Sequence, residues 1–359
     1  MTELLAYCRS GYEKDTASEL TALTAEQGVY GYPVLSANSG YVSFMLHQAK
    51  DLHTLAASIP VAGTVFPRQL VAVTESLTNV DKQDRISPVL SVLREVVAQT
   101  GQAGNVVVEH ADTDDGKQLA KFCRKFVVPL RQALRGAGIL SKKDDNNKPV
   151  LHVFFTEFDA CKIGYSLPAA RSPWPMGICR LKFPADAPSR STLKLEEAIV
   201  SMLSAEEREQ VLRAGGRAVD LGACPGGWTY QLVQREMYVE AVDNGLVDDS
   251  LMRTGLVGHA AADGFTYQPE YGRVDLLVCD MIEQPDRVAK LMGDWLVKGL
   301  ADHAIFNLKL PMKKRYETVT QALTLLKQRM AEAKIKFSLQ ARHLYHDRDE
   351  ITVTVIRQE

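Results

Sequence analysis

Beyond residue 190, apolar positions recur in two alternating patterns. Short runs rich in Val, Leu, Ile and Phe at 217–221, 238–242, 257–261, 274–279 and 303–308 predict strands. Between them, apolar residues three and four apart predict helices at 228–236, 285–298 and 316–333, and Val288, Leu291, Met292, Trp295 and Leu296 trace one buried stripe. Upstream, Leu195, Ala198, Ile199, Met202 and Leu203 keep helical spacing, and Ser204 with Glu207 forms a capping-box pattern that restarts the helix. Strands alternating with helices need crossover connections, hence a mostly parallel sheet with helices on both faces. The end differs: 336–345 and 351–359 read as strands with no helix between, so this last pair is expected to be antiparallel.

The first half is patterned otherwise. Strands at 3–9, 29–36 and 40–46, with a helix at 13–26 and an Asn38-Ser39-Gly40 turn, predict a small α+β unit over 1–66 that includes a helix near 50–58. A second unit, 67–167, starts at QLVAVTESL. It continues through a helix at 86–100, a strand at NVVVEHA, a basic helix at 115–136 and strands at 150–156 and 160–166. Pro129 should kink or split the basic helix. Prolines at 168, 173, 175, 184 and 188 mark 168–189 as a linker, leaving 190–359 as the third unit.

Composition narrows the class. A chain of 359 residues with 46% hydrophobic and 24% charged residues is globular, which excludes disorder and fibre, and its length predicts two or three domains. No apolar run reaches the ~18–20 residues that cross a bilayer. The start, MTELLAYCRSGYEKD, lacks a basic segment followed by an apolar one, so a cytoplasmic protein without membrane association is expected. Six cysteines without a CxxC pair point to reduced thiols rather than a zinc ribbon or a disulfide framework. The net charge of −2 conceals an asymmetry. From Lys121 to Lys148 eight basic residues stand against Asp144 and Asp145, and from Lys162 to Lys194 six stand against Asp186. Such a strip suits a polyanion, although a solvated helix face has the same composition.

Candidate chemistry is concentrated in the third unit. Its first strand runs into Asp220-Leu221-Gly222-Ala223-Cys224-Pro225-Gly226-Gly227-Trp228 and then a helix, the position of the ligand crevice in a doubly wound sheet. Gly226 and Gly227 permit close backbone approach, and Asp243 at the end of the next strand suits the two hydroxyls of a ribose. An adenosine-containing cofactor follows. The loop lacks GxGxxG, and further carboxylates end later strands. Asp263 suits an adenine amine, and Asp280 would face a cationic centre. Gathered carboxylates favour a cation-bearing cofactor over a pyrophosphate, which selects S-adenosylmethionine over a dinucleotide.

DLGACPGGW, with SRSTLKLEEA upstream and LLVCDM, FNLKLP and DEITVTV downstream, resembles the FtsJ-type ribose 2′-O-methyltransferases of RNA across 190–359. The resemblance implies a Rossmann-like methyltransferase fold, S-adenosylmethionine as cofactor, and a Lys-Asp-Lys-Glu tetrad at Lys194, Asp280, Lys309 and Glu350. Cys224 departs from the alanine or other small residue of many such loops. The first half resembles a ferredoxin-like unit joined to a THUMP RNA-binding domain. The combination is similar to large-subunit rRNA ribose methyltransferases acting on cytidine 2498 of 23S rRNA, which implies 23S rRNA or a precursor of the large subunit as partner; a monomer is expected. The expected class is thus α/β, a Rossmann-like domain preceded by ferredoxin-like and THUMP α+β units.

The tetrad is also chemically reasonable by itself. A ribose hydroxyl is a poor nucleophile, and lysine becomes a base only when its pKa falls from ~10.4 towards ~7–8. Lys309 ends an apolar strand at the ligand edge of the sheet and is assigned as base, with Lys194 tuning it and steadying the oxyanion while Asp280 and Glu350 orient both amines. Ser191 would reach the cofactor's amino-acid end on the family resemblance; by position it is equally a helix cap. His343, His346 and Asp347 are metal-ligating types without an evident further ligand, and no metal is expected. Cys279 could serve an RNA cytosine C5-methyltransferase, a rival reading that lacks the usual Pro-Cys dipeptide. Met312, Lys313, Lys314 and Arg315 either grip RNA phosphate or start a solvated helix. A different class of rival is a catalytically silent rRNA-binding or ribosome-assembly factor; the intact tetrad opposes it.

Overall fold

A computed structural model describes residues 2–358. The chain divides into two compact units after Ile178.

In the first unit, strands β1 (Glu3–Tyr7), β2 (Gly31–Leu35), β3 (Tyr41–Leu46), β4 (Gln69–Leu77), β5 (Asn105–His110), β6 (Val150–Glu157) and β7 (Ala160–Ser166) form one seven-stranded sheet in the order β2-β3-β1-β4-β7-β6-β5. All neighbours are antiparallel except β5 and β6. Strands of the two expected α+β units are joined here, because β1 pairs along its whole length with β4, from Glu3 opposite Val73 to Tyr7 opposite Gln69. The helices are α1 (Glu13–Glu26), α2 (Asp51–Ser58), α3 (Ile86–Thr100), the short α4 (Asp114–Lys117) and α5 (Ala120–Gly136). Val89, Leu93 and Val96 of α3 and Phe126, Leu130 and Leu134 of α5 share a core with Leu151, Val153, Phe155 and Ile163 of the sheet.

The basic helix does not break where expected. Pro129 lies inside an uninterrupted α5 on its solvent side, where the carbonyl deprived of a helical donor can be hydrated. The interruption comes earlier, at Gln118 and Leu119, after Thr113 caps α4 by accepting from Gly116 N at 3.0 Å. The first part of the proline-rich segment is a strap on this unit: Val61 N donates to Ala170 O at 2.8 Å, and Met176 N to a Glu109 carboxylate oxygen at 2.6 Å.

The second unit contains α6 (Thr192–Met202), α7 (Ala205–Val211), β8 (Arg217–Leu221), α8 (Gly227–Val233), β9 (Tyr238–Val242), α9 (Asp249–Met252), β10 (Val257–Ala260), β11 (Val274–Cys279), α10 (Pro285–Val297), β12 (Ala301–Lys309), α11 (Arg315–Glu332), β13 (Phe337–Arg342) and β14 (Glu350–Arg357). The sheet order is β10-β9-β8-β11-β12-β14-β13. The first five are mutually parallel, and β14 runs antiparallel to both β12 and β13. The capping box at Ser204 and Glu207 is formed in both directions. Strand order reverses direction of growth at β8 and β11, so their C-terminal ends open the crevice in which a ligand binds.

Candidate active site

Four elements bring the tetrad together. Lys309 ends β12 and Glu350 begins β14, and the antiparallel ladder sets these two opposite each other. Asp280 follows β11, the parallel neighbour of β12, and Lys194 sits in the first turn of α6. Lys309 Nζ lies 2.5 Å from Asp280 Oδ1 and 3.8 Å from Glu350 Oε2. Lys194 Nζ bridges the same carboxylates, at 3.1 Å from Asp280 Oδ2 and 2.7 Å from Glu350 Oε1. Burial alone would lower the Lys194 pKa, but the Asp280 and Glu350 charges together outweigh it and hold that amine above its ordinary value. Burial likewise works to raise Asp280, and the two ammonium groups overcome it and hold the carboxyl below its usual range. Lys194 is therefore the fixed cation of the site.

A buried hydrogen-bond chain supports Asp280. Asn307 Nδ2 donates to Asp280 Oδ1 at 2.9 Å, and Thr352 Oγ1 lies 2.8 Å from Asn307 Oδ1. Thr352 Oγ1 is also 3.1 Å from both Asp347 oxygens. A hydroxyl has one proton. If Asn307 receives it, Asp347 must be the donor to Thr352, hence a protonated carboxyl. Burial, aided by the charges of Glu350 and Glu197, does raise Asp347 well above the carboxylate range. Sequence reading missed Asn307 and Thr352, although each stands two positions from a tetrad member on the same strand and so on the same face. His343 Nε2 bonds to Arg348 O at 3.0 Å, and Asp347 accepts from Leu344 N at 3.0 Å. Among the described residues no cluster of His, Cys, Asp and Glu could hold a metal ion.

A cavity of about 600 Å³ adjoins the tetrad, with Cys224, Asp243, Asp263 and Asp280 in its lining. Asp243 is fixed by two backbone donors, Cys224 N at 3.0 Å and Gly245 N at 2.8 Å, one on each carboxylate oxygen. Each oxygen keeps a lone pair for a hydroxyl. Asp263 uses Oδ1 to accept from Phe265 N at 2.9 Å. Phe265, Met281 and Arg287 also line the cavity, and the Arg287 guanidinium lies 4.6 Å from the Phe265 ring centre. Phe265 and Arg287 lie outside the quoted motifs, and Met281, though it ends LLVCDM, was given no role.

Ser191, Pro225, Gly226 and Gly227 shape the loop without lining the cavity. A Cβ on Gly227 would come within 2.1 Å of Ser191 Oγ and 3.1 Å of Thr192 N, so a side chain there would displace the Ser191 hydroxyl and crowd the start of α6. Gly226, at φ +115°, would drive a Cβ to 2.4 Å from Leu251. Pro225 follows a cis peptide bond, and its carbonyl accepts from Asp248 N at 2.9 Å. The Ser191 hydroxyl does not cap α6; it bonds to Ser189 Oγ at 3.1 Å. Asp220, below the loop, receives the Thr229 hydroxyl at 2.7 Å on one oxygen and has no partner on the other. Burial pushes its carboxyl up to about 7, against the Thr229 bond and with help from the Asp280 charge.

With the crossover sheet, the carboxylate-lined cavity and the converged charges in view, the class is a methyltransferase: residues 187–328 match the model of FtsJ-like methyltransferases. Residues 1–71 match the RlmM ferredoxin-like domain, and 84–167 match the N-terminal region of ribosomal RNA large subunit methyltransferase M. The protein of that name from Alteromonas mediterranea is 62% identical over 356 residues, covering 99% of this chain and 98% of its own. Its counterpart from Vibrio parahaemolyticus is 51% identical over 351 residues, covering 98% of both chains. The chain belongs to the ribosomal RNA large subunit methyltransferase M family.

Proposed function

We propose that this protein methylates the 2′-hydroxyl of a ribose in 23S rRNA, at cytidine 2498, with Lys309 as general base. The observation that carries this reading is the convergence of Lys194, Asp280, Lys309 and Glu350 beside the carboxylate-lined cavity.

S-adenosylmethionine, when bound in the cavity, supplies the methyl group. The donor set fits it: Asp243 keeps acceptor capacity for ribose hydroxyls, Asp263 Oδ2 for an adenine amine, and Asp280 stands towards the tetrad. The carboxylates suit a cation, and Ser191 and the Pro225-Gly226-Gly227 turn hold the loop that borders the amino-acid end. Lys309, once its ammonium has released a proton to water, receives the proton of the ribose hydroxyl as the oxygen attacks. Asp280 aims its amine, and Lys194, kept charged by two carboxylates, stabilises the developing oxyanion. Glu350 closes the ring of charges.

The exposed Lys121, Arg124 and Lys125 on α5, with Lys142 and Lys143 beyond it, suit RNA phosphates, and the two N-terminal segments act as the RNA-capturing part in a THUMP-like role. The target nucleotide must leave its stack to reach Lys309. Among the described residues no helix is long and apolar enough to cross a membrane; we place the enzyme in the cytoplasm as a monomer. Cytosine C5 chemistry is disfavoured because Cys279 is fully buried and burial pushes its thiol up to about 12, leaving no thiolate to attack a base.

The test is mass spectrometry of nuclease-digested 23S rRNA from cells with and without the protein. A ribose-methylated cytidine that disappears with the protein is expected. Unchanged ribose methylation, or loss of a base methyl instead, would overturn the reading.

A further inference from the structure

The first unit contains a second cavity, of about 400 Å³, between the proline-rich strap and the start of β5. The strap presents the half-buried Trp174 as one wall, with Pro173 and Pro175 beside it. Backbone and side-chain bonds fix that wall in place. Ser172 N donates to Gln69 Oε1 at 3.1 Å, Trp174 N to Ser172 Oγ at 3.3 Å, and Met176 N to Glu109 Oε1 at 2.6 Å. The floor is equally settled, since buried His152 lies 3.3 Å from Glu109 and 2.8 Å from Ser166 Oγ. Arg171 ties the opposite rim, donating to Lys148 O at 3.1 Å and Asn146 O at 2.9 Å.

Two amides remain for a ligand. Asn105 uses its oxygen to accept from Val106 N and from Arg131, which leaves its Nδ2 unpaired within the described protein, and the Asn146 side chain is unpaired as well. Arg131 is on α5, so the rim of the cavity is continuous with the basic helix. The cavity brings together the Trp174 indole, two amide side chains and Arg171, with Arg131 joined to it through Asn105. That is the chemistry of a nucleotide: a π-face for the ring, edges for its donors and acceptors, and positive charge for the phosphate.

We propose that this cavity binds an unpaired nucleobase of the RNA substrate, stacked on Trp174 and read by Asn105 and Asn146. The proposal rests on RNA being the substrate, and it adds an anchoring site on the first unit. A base held here adds affinity and fixes the register of the RNA on the first unit.

The test uses the full-length protein. The chain has three tryptophans, and Trp228 and Trp295 are both buried in the second unit, so an added RNA should quench Trp174 selectively. Titration with a single-stranded oligoribonucleotide and, separately, with nucleoside 5′-monophosphates should quench the wild type and leave W174F emission unchanged. W174A should weaken RNA binding ~10-fold, W174F should restore most of the affinity, and cofactor affinity should stay at wild-type level in both. Absence of quenching together with wild-type RNA affinity in W174A and in N105A would overturn the proposal. So would quenching by an unrelated peptide and not by RNA. Loss of rRNA as substrate altogether would show instead as no methyl transfer by the wild type, an outcome read independently of Trp174.

Discussion

Thr352 and Asn307 face one another across the β12–β14 ladder, and the threonine hydroxyl bonds to the asparagine oxygen at 2.8 Å. Through this pair the orientation of Asp280 depends on two side chains that touch neither ribose nor cofactor. Thr352→Val keeps the shape and removes the hydroxyl, freeing the Asn307 amide to turn its oxygen towards Asp280. Turnover should fall about tenfold, the loss expected when one hydrogen bond worth ~1.4 kcal/mol is misdirected, with cofactor affinity unchanged. Thr352→Ser should recover most of the rate. A Thr352→Val enzyme with wild-type turnover would show that the chain only packs the strands.

Lys309→Ala should abolish methyl transfer while S-adenosylmethionine binding, followed by calorimetry, stays near wild type. The amine lies at the end of β12, on the tetrad side of Asp280, and its removal leaves the Asp243 and Asp263 contacts intact. Residual turnover within tenfold of wild type would take Lys309 out of the base role.

Asp243→Ala should weaken cofactor binding by tenfold or more, since hydrogen bonds to a charged acceptor contribute ~1.5–3 kcal/mol each. Part of the loss will come from releasing Cys224 N and Gly245 N, which the carboxylate now holds. Unchanged affinity by calorimetry would refute the assignment to the ribose hydroxyls.

Much of this arrangement was legible in the chain. Periodicity placed nearly every strand and helix of the second unit, because each buries one side of a regular element, and the antiparallel end followed from the missing helix between 336–345 and 351–359. Long-range pairing was not legible. Nothing local in QLVAVTESL says that it will pair with ELLAY, yet β1 and β4 do so and merge what read as separate units. Pro129, expected to kink or split the basic helix, does not split it, since it lies on the exposed face where the carbonyl left without a helical donor is open to water. The four charged residues singled out in the sequence do meet in the fold. Asn307 and Thr352 were not singled out, since a polar residue in an apolar strand reveals its purpose only when its partner on another strand is known.

Neutralising Lys142 and Lys143, both exposed, should reduce RNA affinity and lower the slope of log affinity against log salt by up to ~1.5, the contribution of two released phosphate contacts. An unaltered slope would return these lysines to the role of a solvated loop.

Asp220 gives a pH signature in stability. Its folded-state carboxyl titrates at about 7, against ~3.9 in an unfolded chain. Between those values the folded state holds a proton that the unfolded state has lost, so this group's contribution to stability falls as pH rises from about 4 to 7 and stays low above that. Asp220→Asn removes the titration and keeps an oxygen to accept from Thr229. Relative to the variant, the wild-type melting temperature should therefore drop by roughly 5 °C or more between pH 5 and pH 8 in the absence of cofactor. Parallel melting curves for the two proteins across that range would mean that Asp220 is charged throughout, and that its unpaired oxygen is solvated in the folded protein.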